Sequence, residues 1–255
     1  MLQKIDYPNQ SSRNPLLVVH GLYGSARNWG VVCRKLSAER PVHAVDNRNH
    51  GESSWRDTHS YLDLANDLAE VIEAEFGKVD LLGHSMGGKA AMTLALTRPD
   101  LVNRLIVADI APVTYSHSQL QFIHAMRKVD LTTVEKRSDA LAQLEAAGVE
   151  DPTLRSFFTQ SLDLKARKWR LNLDTLEAEM PKIMSFPDIS GEFTGKTLFL
   201  SGADSDYVLP EHRPLIKSLF PKAAFVKISG AGHWLHAEKP AEFIATVDAW
   251  LKRGE

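Results

Sequence analysis

The strongest structural signal in the sequence is the segment Val79-Asp80-Leu81-Leu82-Gly83-His84-Ser85-Met86-Gly87-Gly88-Lys89. Its first residues form a short apolar run that is typical of a buried parallel strand. The residues from Lys89 to Leu96 are apolar on nearly every side, as expected of a buried helix. Between strand and helix, the spacing of glycine, serine and glycine matches G-x-S-x-G, which predicts a serine at a tight strand-to-helix turn.

This spacing has a physical reason if Ser85 is a nucleophile. A nucleophile must stand clear of the sheet, which forces its backbone into a strained turn. Gly83 and Gly87 carry no Cβ, so strand and helix can approach closely around the serine. The helix also points its free N–H groups at any anion that forms beside Ser85. A glycine-rich turn with an incidental serine is the alternative, but strand and helix flank this motif in the order that a nucleophile requires.

The bulk composition favours one α/β domain with an elaboration, since the chain has 255 residues of which 44% are hydrophobic. Its net charge of −2 predicts no general attraction to nucleic acid or to an anionic membrane. The single cysteine, Cys33, cannot form an internal disulfide and indicates a reducing compartment. Because no apolar run resembles a signal peptide or a membrane span, we expect a cytoplasmic protein without stable membrane insertion. No histidines occur at metal-ligand spacing, so no metal site is predicted.

A second glycine motif follows the first confident strand, Pro15 to His20. The loop His20-Gly21-Leu22-Tyr23-Gly24-Ser25 has the H-G-x-x-G pattern of a hydrolase oxyanion loop. Gly21 allows a sharp turn, so that the Leu22 N–H can point into the site and act together with the Met86 N–H on a tetrahedral oxyanion. The alternative is a plain glycine turn, which the nearby serine motif makes less attractive.

Further strands are predicted at residues 4–7, 41–46, 105–112, 196–202 and 225–228, the first of them at an edge of the sheet. The loop after residues 41–46 is rich in turn-forming residues. We therefore assign Arg48 and His50, which lie in this loop, a structural role in bracing the rim of the site. Trp55 follows the loop and is a candidate for lining the pocket.

The pattern changes between Tyr115 and Phe193, where helical signals dominate and no strand matches those before it. A helical segment inserted between two sheet strands has to fold over the catalytic edge of the sheet. We therefore predict a helical cap, residues 113–193, inserted between strands 6 and 7, with an apolar inner face that forms an acyl pocket. Residues 1–112 and 194–255 then form the core.

The predicted cap also contains a cluster of basic residues. Its members are Lys165, Arg167, Lys168 and Arg170. A cluster of this kind can contact a phosphorylated carrier such as coenzyme A, but a solvated helix face is the favoured interpretation.

A general base for Ser85 is expected near the end of the chain. His233 follows Gly230-Ala231-Gly232 beyond the last predicted strand, where it is free to approach the serine. An imidazole activates a serine hydroxyl, and a carboxylate must hold that imidazole in the right tautomer. The order serine, aspartate, histidine is the one expected of an α/β-hydrolase. Asp109 ends the strand after the serine helix, while Asp204 and Asp206 follow the next strand, so three carboxylates are candidates.

Several motifs together resemble a known family more closely than the serine motif alone. They are His20-Gly21-Leu22-Tyr23-Gly24-Ser25, Asp46-x-Arg48-Asn49-His50-Gly51, Gly83-His84-Ser85-Met86-Gly87-Gly88-Lys89, Asp109-Ile110-Ala111-Pro112 and Gly230-Ala231-Gly232-His233-Trp234-Leu235-His236-Ala237-Glu238-Lys239-Pro240. The chain is similar to the α/β-hydrolases that include the bacterial esterase YbfF and its animal abhydrolase-domain relatives. The resemblance implies an α/β-hydrolase fold, hydrolysis of carboxylic esters and acyl-CoA thioesters, no cofactor, and Asp109 as the triad acid.

The prediction is therefore a serine esterase or thioesterase with Ser85, His233 and Asp109 as its triad and the Leu22 and Met86 N–H groups as its oxyanion hole. Its expected partner is a small-molecule ester or an acyl-CoA, without nucleic acid, and the chain is expected to be a monomer or a small homo-oligomer. Two alternatives stay open at this point. The same triad can cleave carbon–carbon or amide bonds, and a protein of this fold can bind ligands without catalysis.

Overall fold

The computed structural model describes residues 2–253, which contain a seven-stranded sheet and a separate hairpin. The strands of the sheet are β1 (Lys4–Tyr7), β2 (Leu16–Val19), β3 (Val42–Val45), β4 (Val79–His84), β5 (Val102–Ala108), β8 (Lys196–Gly202) and β9 (Ala223–Ile228), and those of the hairpin are β6 (Leu162–Asp163) and β7 (Lys168–Trp169). The order of strands in the sheet is β1-β3-β2-β4-β5-β8-β9. The edge strand β1 pairs antiparallel with β3, and the other pairs of the large sheet are parallel. The predicted edge strand at residues 4–7 is therefore confirmed.

Helices cover both faces of this sheet. Their bounds are α1 (Gly30–Leu36), α2 (Tyr61–Glu75), α3 (Met86–Thr97), α4 (Leu120–Arg127), α5 (Arg137–Ala146), α6 (Pro152–Gln160), α7 (Leu173–Ala178), α8 (Met180–Met184), α9 (Arg213–Leu219), α10 (Leu235–Glu238) and α11 (Pro240–Lys252). Helices α2 and α3 pack into one apolar core, and α1 and α11 pack into another on the opposite face.

The strands read as continuous apolar runs because each face of the sheet is buried. In β4, Leu81 belongs to the core on the side of α2 and α3, whereas its neighbour Leu82 belongs to the core on the side of α1 and α11. Successive side chains of a strand point to opposite faces, so a strand buried on both sides is apolar at most positions, and a polar exception such as Asp80 in β4 is paired, here with Arg40 and Arg104. This is the physical basis of the apolar runs that predicted the parallel strands.

The segment between β5 and β8 contains helices α4 to α8 and the β6–β7 hairpin. We call residues 113–193 the inserted segment. It lies between the fifth and sixth strands of the sheet in chain order, one place earlier than expected. Only β1 precedes β2, because residues 8–15 contain prolines and turn-forming residues that do not form a further strand.

Candidate active site

Ser85 occupies the turn between β4 and α3 with a backbone φ of 53° and ψ of −122°. Residues other than glycine rarely adopt a positive φ, so this turn is strained. The Ser85 N–H donates to the Ala108 carbonyl at 3.0 Å, and the Ser85 carbonyl accepts from the Lys89 N–H at 3.0 Å. These bonds tie the serine to β5 and to the first turn of α3.

The two glycines of the motif are required by close packing. A Cβ on Gly83 would lie 2.2 Å from the Gly87 carbonyl oxygen, and a Cβ on Gly87 would lie 2.4 Å from the Val19 carbonyl oxygen. Both distances are far shorter than van der Waals contact. A side chain at Gly83 would therefore push β4 away from α3, and one at Gly87 would push α3 away from β2.

His233 lies in the loop between β9 and α10, and its Nε2 is 3.1 Å from the Ser85 Oγ. The ring stacks on Tyr207, with the ring centres 4.0 Å apart and the planes at 22°. The backbone carbonyl of His233 accepts a hydrogen bond from the Nε2–H of His84 at 2.9 Å. Burial lowers the pKa of His84 well below its usual range, so this donor stays a neutral imidazole. The stacking on Tyr207 and the hydrogen bond from His84 both hold the loop that carries His233 in place.

Asp109 is fully buried at the end of β5, and its Oδ2 accepts the Nδ1–H of His233 at 2.8 Å. The same carboxylate accepts the Gly202 N–H at 3.0 Å and the Ser205 hydroxyl at 2.5 Å. A carboxylate can only accept, so the His233 proton lies on Nδ1. The Nε2 of a neutral ring is then free to accept the Ser85 hydroxyl proton.

The structure separates the three candidate carboxylates. Asp204 and Asp206 are exposed, whereas Asp109 contacts His233. The sequence reasoning missed Ser205, which lies between the two exposed aspartates and bonds to Asp109. It also missed the stacking of Tyr207 on the histidine. The polar loop after β8 was a signal for this region, but its sequence does not show which side chain points inward.

The predicted oxyanion loop lies against the serine turn. A Cβ on Gly21 would be 3.2 Å from the Ser85 Cβ. Leu22 and Met86 line the same cavity as Ser85. Met86 is the first residue of α3, so its N–H has no acceptor within the helix. The structure thus brings both predicted donor residues to the serine.

Arg48 and His50 make contacts of the kind expected of residues that brace the structure. The Nε of Arg48 donates to Asp67 at 2.6 Å, and the Nε2 of His50 accepts the N–H of Tyr23, in the oxyanion loop, at 3.2 Å. Burial lowers the pKa of His50 to about 3 and that of the neighbouring His20 to about 4. Both rings are therefore neutral near pH 7, and a neutral His50 keeps a nitrogen that can accept from Tyr23.

A cavity of about 340 Å³ opens beside Ser85 and His233. The inserted segment contributes a mostly apolar part of its wall, which includes Phe122, Leu154, Phe157, Phe158, Ile183 and Met184. Trp55 does not line this cavity, contrary to the prediction, because its loop leaves the side chain 54% exposed.

The basic cluster of the inserted segment lies on the β6–β7 hairpin and not on a helix face. Lys165, Arg167 and Lys168 are exposed there, while Arg170 pairs with Asp163 at 2.8 Å. Across residues 2–253, no group of three or more metal-ligating side chains is gathered in one place. Over the same residues, no helix combines the length and the apolar character needed to cross a bilayer.

The sheet order and the placement of serine, aspartate and histidine at the carboxyl ends of β4, β5 and β9 define the α/β-hydrolase class. A model described as "Alpha/beta hydrolase family" matches residues 16–246. The chain belongs to the alpha/beta hydrolase family, and within it to the esterase and lipase type, so it is a carboxylic ester hydrolase.

Individual relatives cover nearly the whole chain. One is "sn-1-specific diacylglycerol lipase ABHD11" of Mus musculus, 40% identical over 247 residues, which are 92% of this chain and 80% of the relative. Another is "Esterase YbfF" of Escherichia coli K12, 34% identical over 249 residues, which are 95% of each chain. A solved structure described as "Marine microorganism esterase" is 37% identical and superimposes with a TM-score of 0.91 over 96% of this chain and 97% of that one. The predicted family resemblance and fold class are therefore confirmed.

Proposed function

We propose that Ser85, His233 and Asp109 are the catalytic triad of this ester hydrolase. The observation that carries the proposal is the continuous chain of hydrogen bonds, 3.1 Å from Ser85 Oγ to His233 Nε2 and 2.8 Å from His233 Nδ1 to Asp109 Oδ2. Distances in this range allow direct proton transfer from the hydroxyl to the ring. The strained backbone of Ser85 supports the same role, because such strain is typical of a nucleophile held for attack.

In the proposed mechanism, the Ser85 Oγ attacks the ester carbonyl while His233 takes the hydroxyl proton. The tetrahedral oxyanion is stabilised by the N–H groups of Leu22 and Met86. His233 then gives its proton to the leaving alcohol, and an acyl-enzyme remains on Ser85. A water molecule, deprotonated by His233, attacks the acyl group, and His233 then returns the proton to the Ser85 Oγ as the carboxylic acid is released. Asp109 stabilises the imidazolium that forms in each half of the reaction.

We further propose that the inserted segment is a cap that binds the acyl chain. The support is the apolar wall that it adds to the cavity beside Ser85. An apolar cavity of this size suits the hydrocarbon part of an ester or thioester. Thioesters, acyl-CoA among them, follow the same two steps, with a thiol as the leaving group. The mouse relative is named a diacylglycerol lipase, which makes glycerides a further ester class to test.

The expected setting of the enzyme is also a proposal. The lone Cys33 supports a reducing compartment such as the cytoplasm. We propose small-molecule esters as its partners and a monomer or a small homo-oligomer as its assembly. The residues named for the proposed reaction all come from a single chain.

A fluorophosphonate probe tests the proposed nucleophile. We expect one covalent adduct on the folded wild-type protein, located on Ser85 by peptide mass spectrometry. The Ser85→Ala variant should lose both the adduct and esterase activity. Ser118 also lines the cavity, so Ser118→Ala is a matched control that should keep both. A folded wild-type protein that stays unlabelled would instead favour a ligand-binding role without catalysis.

A substrate panel tests the reaction type. With p-nitrophenyl acetate, an acyl-CoA, an amide and a meta-cleavage dienoate, we expect turnover of the ester and thioester only. Turnover of the dienoate or the amide at a higher rate than the ester would replace our proposal with carbon–carbon or amide bond hydrolysis.

A further inference from the structure

Lys89 is a titratable residue of the cavity that has no role in the proposed mechanism. Lys89 lies one turn after Ser85 in α3, is 1% exposed and lines the cavity. Burying a lysine in an apolar wall costs free energy, because its ammonium group loses hydration. A methionine of similar length would fill the same space without that cost. The ammonium group must therefore make contacts that an apolar side chain cannot make.

Those contacts are three backbone carbonyl groups. The Nζ of Lys89 donates to the carbonyls of Val113 at 2.8 Å, Met184 at 3.1 Å and Ser185 at 2.6 Å. An ammonium group has three hydrogens, so these three bonds use all of its donors.

Within the part of the chain that the structure describes, the Lys89 ammonium group forms no ion pair with a carboxylate. The Nζ instead lies 4.8 Å from the centre of the Tyr115 ring and 5.6 Å from that of Tyr61. Burial lowers the pKa of Lys89 to about 7, while the carbonyl oxygens and the ring faces oppose that shift because they favour the ammonium form.

The three carbonyl groups belong to the two connections between the core and the inserted segment. Val113 is where the chain leaves β5 for the inserted segment, and Met184 and Ser185 end α8, after which the chain returns toward β8. The two connections also bond to each other, since the Tyr115 N–H donates to the Met184 carbonyl at 3.0 Å. Tyr115 and Met184 both line the cavity. One side chain of α3 thus ties together both connections and a part of the acyl wall.

We propose that Lys89 is a positioning residue that fixes both connections of the cap to the nucleophile helix and thereby sets the acyl-chain selectivity of the enzyme. This inference rests on the proposed function, because it assumes that the acyl group lies in the cavity beside Ser85. Loss of the three bonds frees the wall at Tyr115 and Met184. A long acyl chain that packs against this wall then loses contacts, whereas an acetyl group loses few.

The test compares p-nitrophenyl acetate with p-nitrophenyl octanoate, which share a leaving group and differ only in the acyl chain. In Lys89→Met we expect kcat/KM for octanoate to fall roughly tenfold or more, through KM, with acetate within about threefold of wild type. Hydrogen exchange at the Tyr115 amide should become faster. Lys89→Arg, which keeps donors for the carbonyls, should restore most of the selectivity. The matched control is Lys182→Met, which removes an exposed lysine near the same connection that pairs with Glu179 at 2.8 Å.

Two results would overturn the proposal. One is an unchanged ratio of octanoate to acetate turnover together with unchanged exchange at Tyr115. The other is an equal loss of kcat for both esters, which would mean that Lys89 acts on the nucleophile and not on the cap. If Lys89→Met does not fold, the same measurements on Lys89→Gln test the proposal. A wild-type protein that hydrolyses neither ester would contradict the proposed function instead. Hydrogen exchange at the Tyr115 amide would still test whether Lys89 holds the two connections.

Discussion

Replacing Asp109 by asparagine changes a single oxygen atom to an NH₂ group, and the surrounding bonds determine its orientation. One carboxylate oxygen accepts the Gly202 N–H, and the other accepts from His233 and Ser205. A backbone N–H can only donate, so the amide oxygen has to face Gly202. The amide NH₂ then faces His233 and Ser205. The Ser205 hydroxyl can turn to accept from the amide, and the imidazole can respond by changing its tautomer.

This change of tautomer determines the size of the effect. With Nδ1 accepting from the amide, the ring proton moves to Nε2, which then cannot accept the proton of Ser85. A triad histidine in the wrong tautomer lowers kcat by about 10⁴-fold, on the order of 5.5 kcal/mol of transition-state stabilisation. The side chain keeps its volume in a fully buried position, so we expect the fold to remain.

The assay is steady-state hydrolysis of a chromogenic ester by Asp109→Asn, with Asp204→Asn and Asp206→Asn as matched controls. The controls are exposed and should stay within about twofold of wild type. Circular dichroism checks that each variant is folded. The reasoning is refuted if Asp109→Asn keeps near-normal kcat, or if Asp206→Asn loses as much activity as we predict for Asp109→Asn.

Two further predictions concern stability. Gly83→Ala places a methyl group 2.2 Å from the Gly87 carbonyl oxygen and should cost about 3 kcal/mol, a fall in Tm of roughly 10 °C by scanning fluorimetry. The methyl group of its control, Gly77→Ala, meets no atom within 4 Å, so that variant should lose only about 1–2 kcal/mol, the cost of an L-residue at a φ of +70°. An equal fall in Tm in both variants would contradict the packing argument. Burial lowers the pKa of His236 to about 3 in the folded protein, whereas the pKa in the unfolded chain is about 6.5. Below about pH 6.5 the unfolded chain therefore binds this proton more tightly than the folded protein does, and the free energy of unfolding falls as the pH is lowered. Between about pH 7.5 and pH 5, the free energy of unfolding measured in urea should therefore fall by about 2 kcal/mol less in His236→Phe than in the wild-type protein. An unchanged pH dependence in the variant would contradict this prediction.

The position of the nucleophile and the type of fold were accessible from the sequence because they depend on local rules. A buried parallel strand needs apolar residues at most of its positions, and the turn at Ser85 needs Gly83 and Gly87 because the backbones touch. The strand pattern and the contact of Gly83 with Gly87 act within a few residues, so they leave a readable pattern, whereas Gly87 also meets Val19 of a strand that is distant along the chain. His233 was accessible for a similar reason, since it follows the last predicted strand.

The choice among Asp109, Asp204 and Asp206, in contrast, did not depend on a local rule. All three lie at the ends of neighbouring strands, so spacing alone left them equivalent, and only the family resemblance favoured Asp109. In the tertiary structure the loop after β8 turns both of its aspartates to solvent and directs Ser205 to Asp109.

The tie made by Lys89 depends in the same way on tertiary structure. Its three acceptors are backbone carbonyls from distant parts of the chain, and a carbonyl group has no sequence signature. The sequence alone determined the strand–turn–helix unit around Ser85 and the kinds of residue available for catalysis. The tertiary structure decided which of those residues meet, because their separation in space depends on how the loops pack and not on their spacing along the chain.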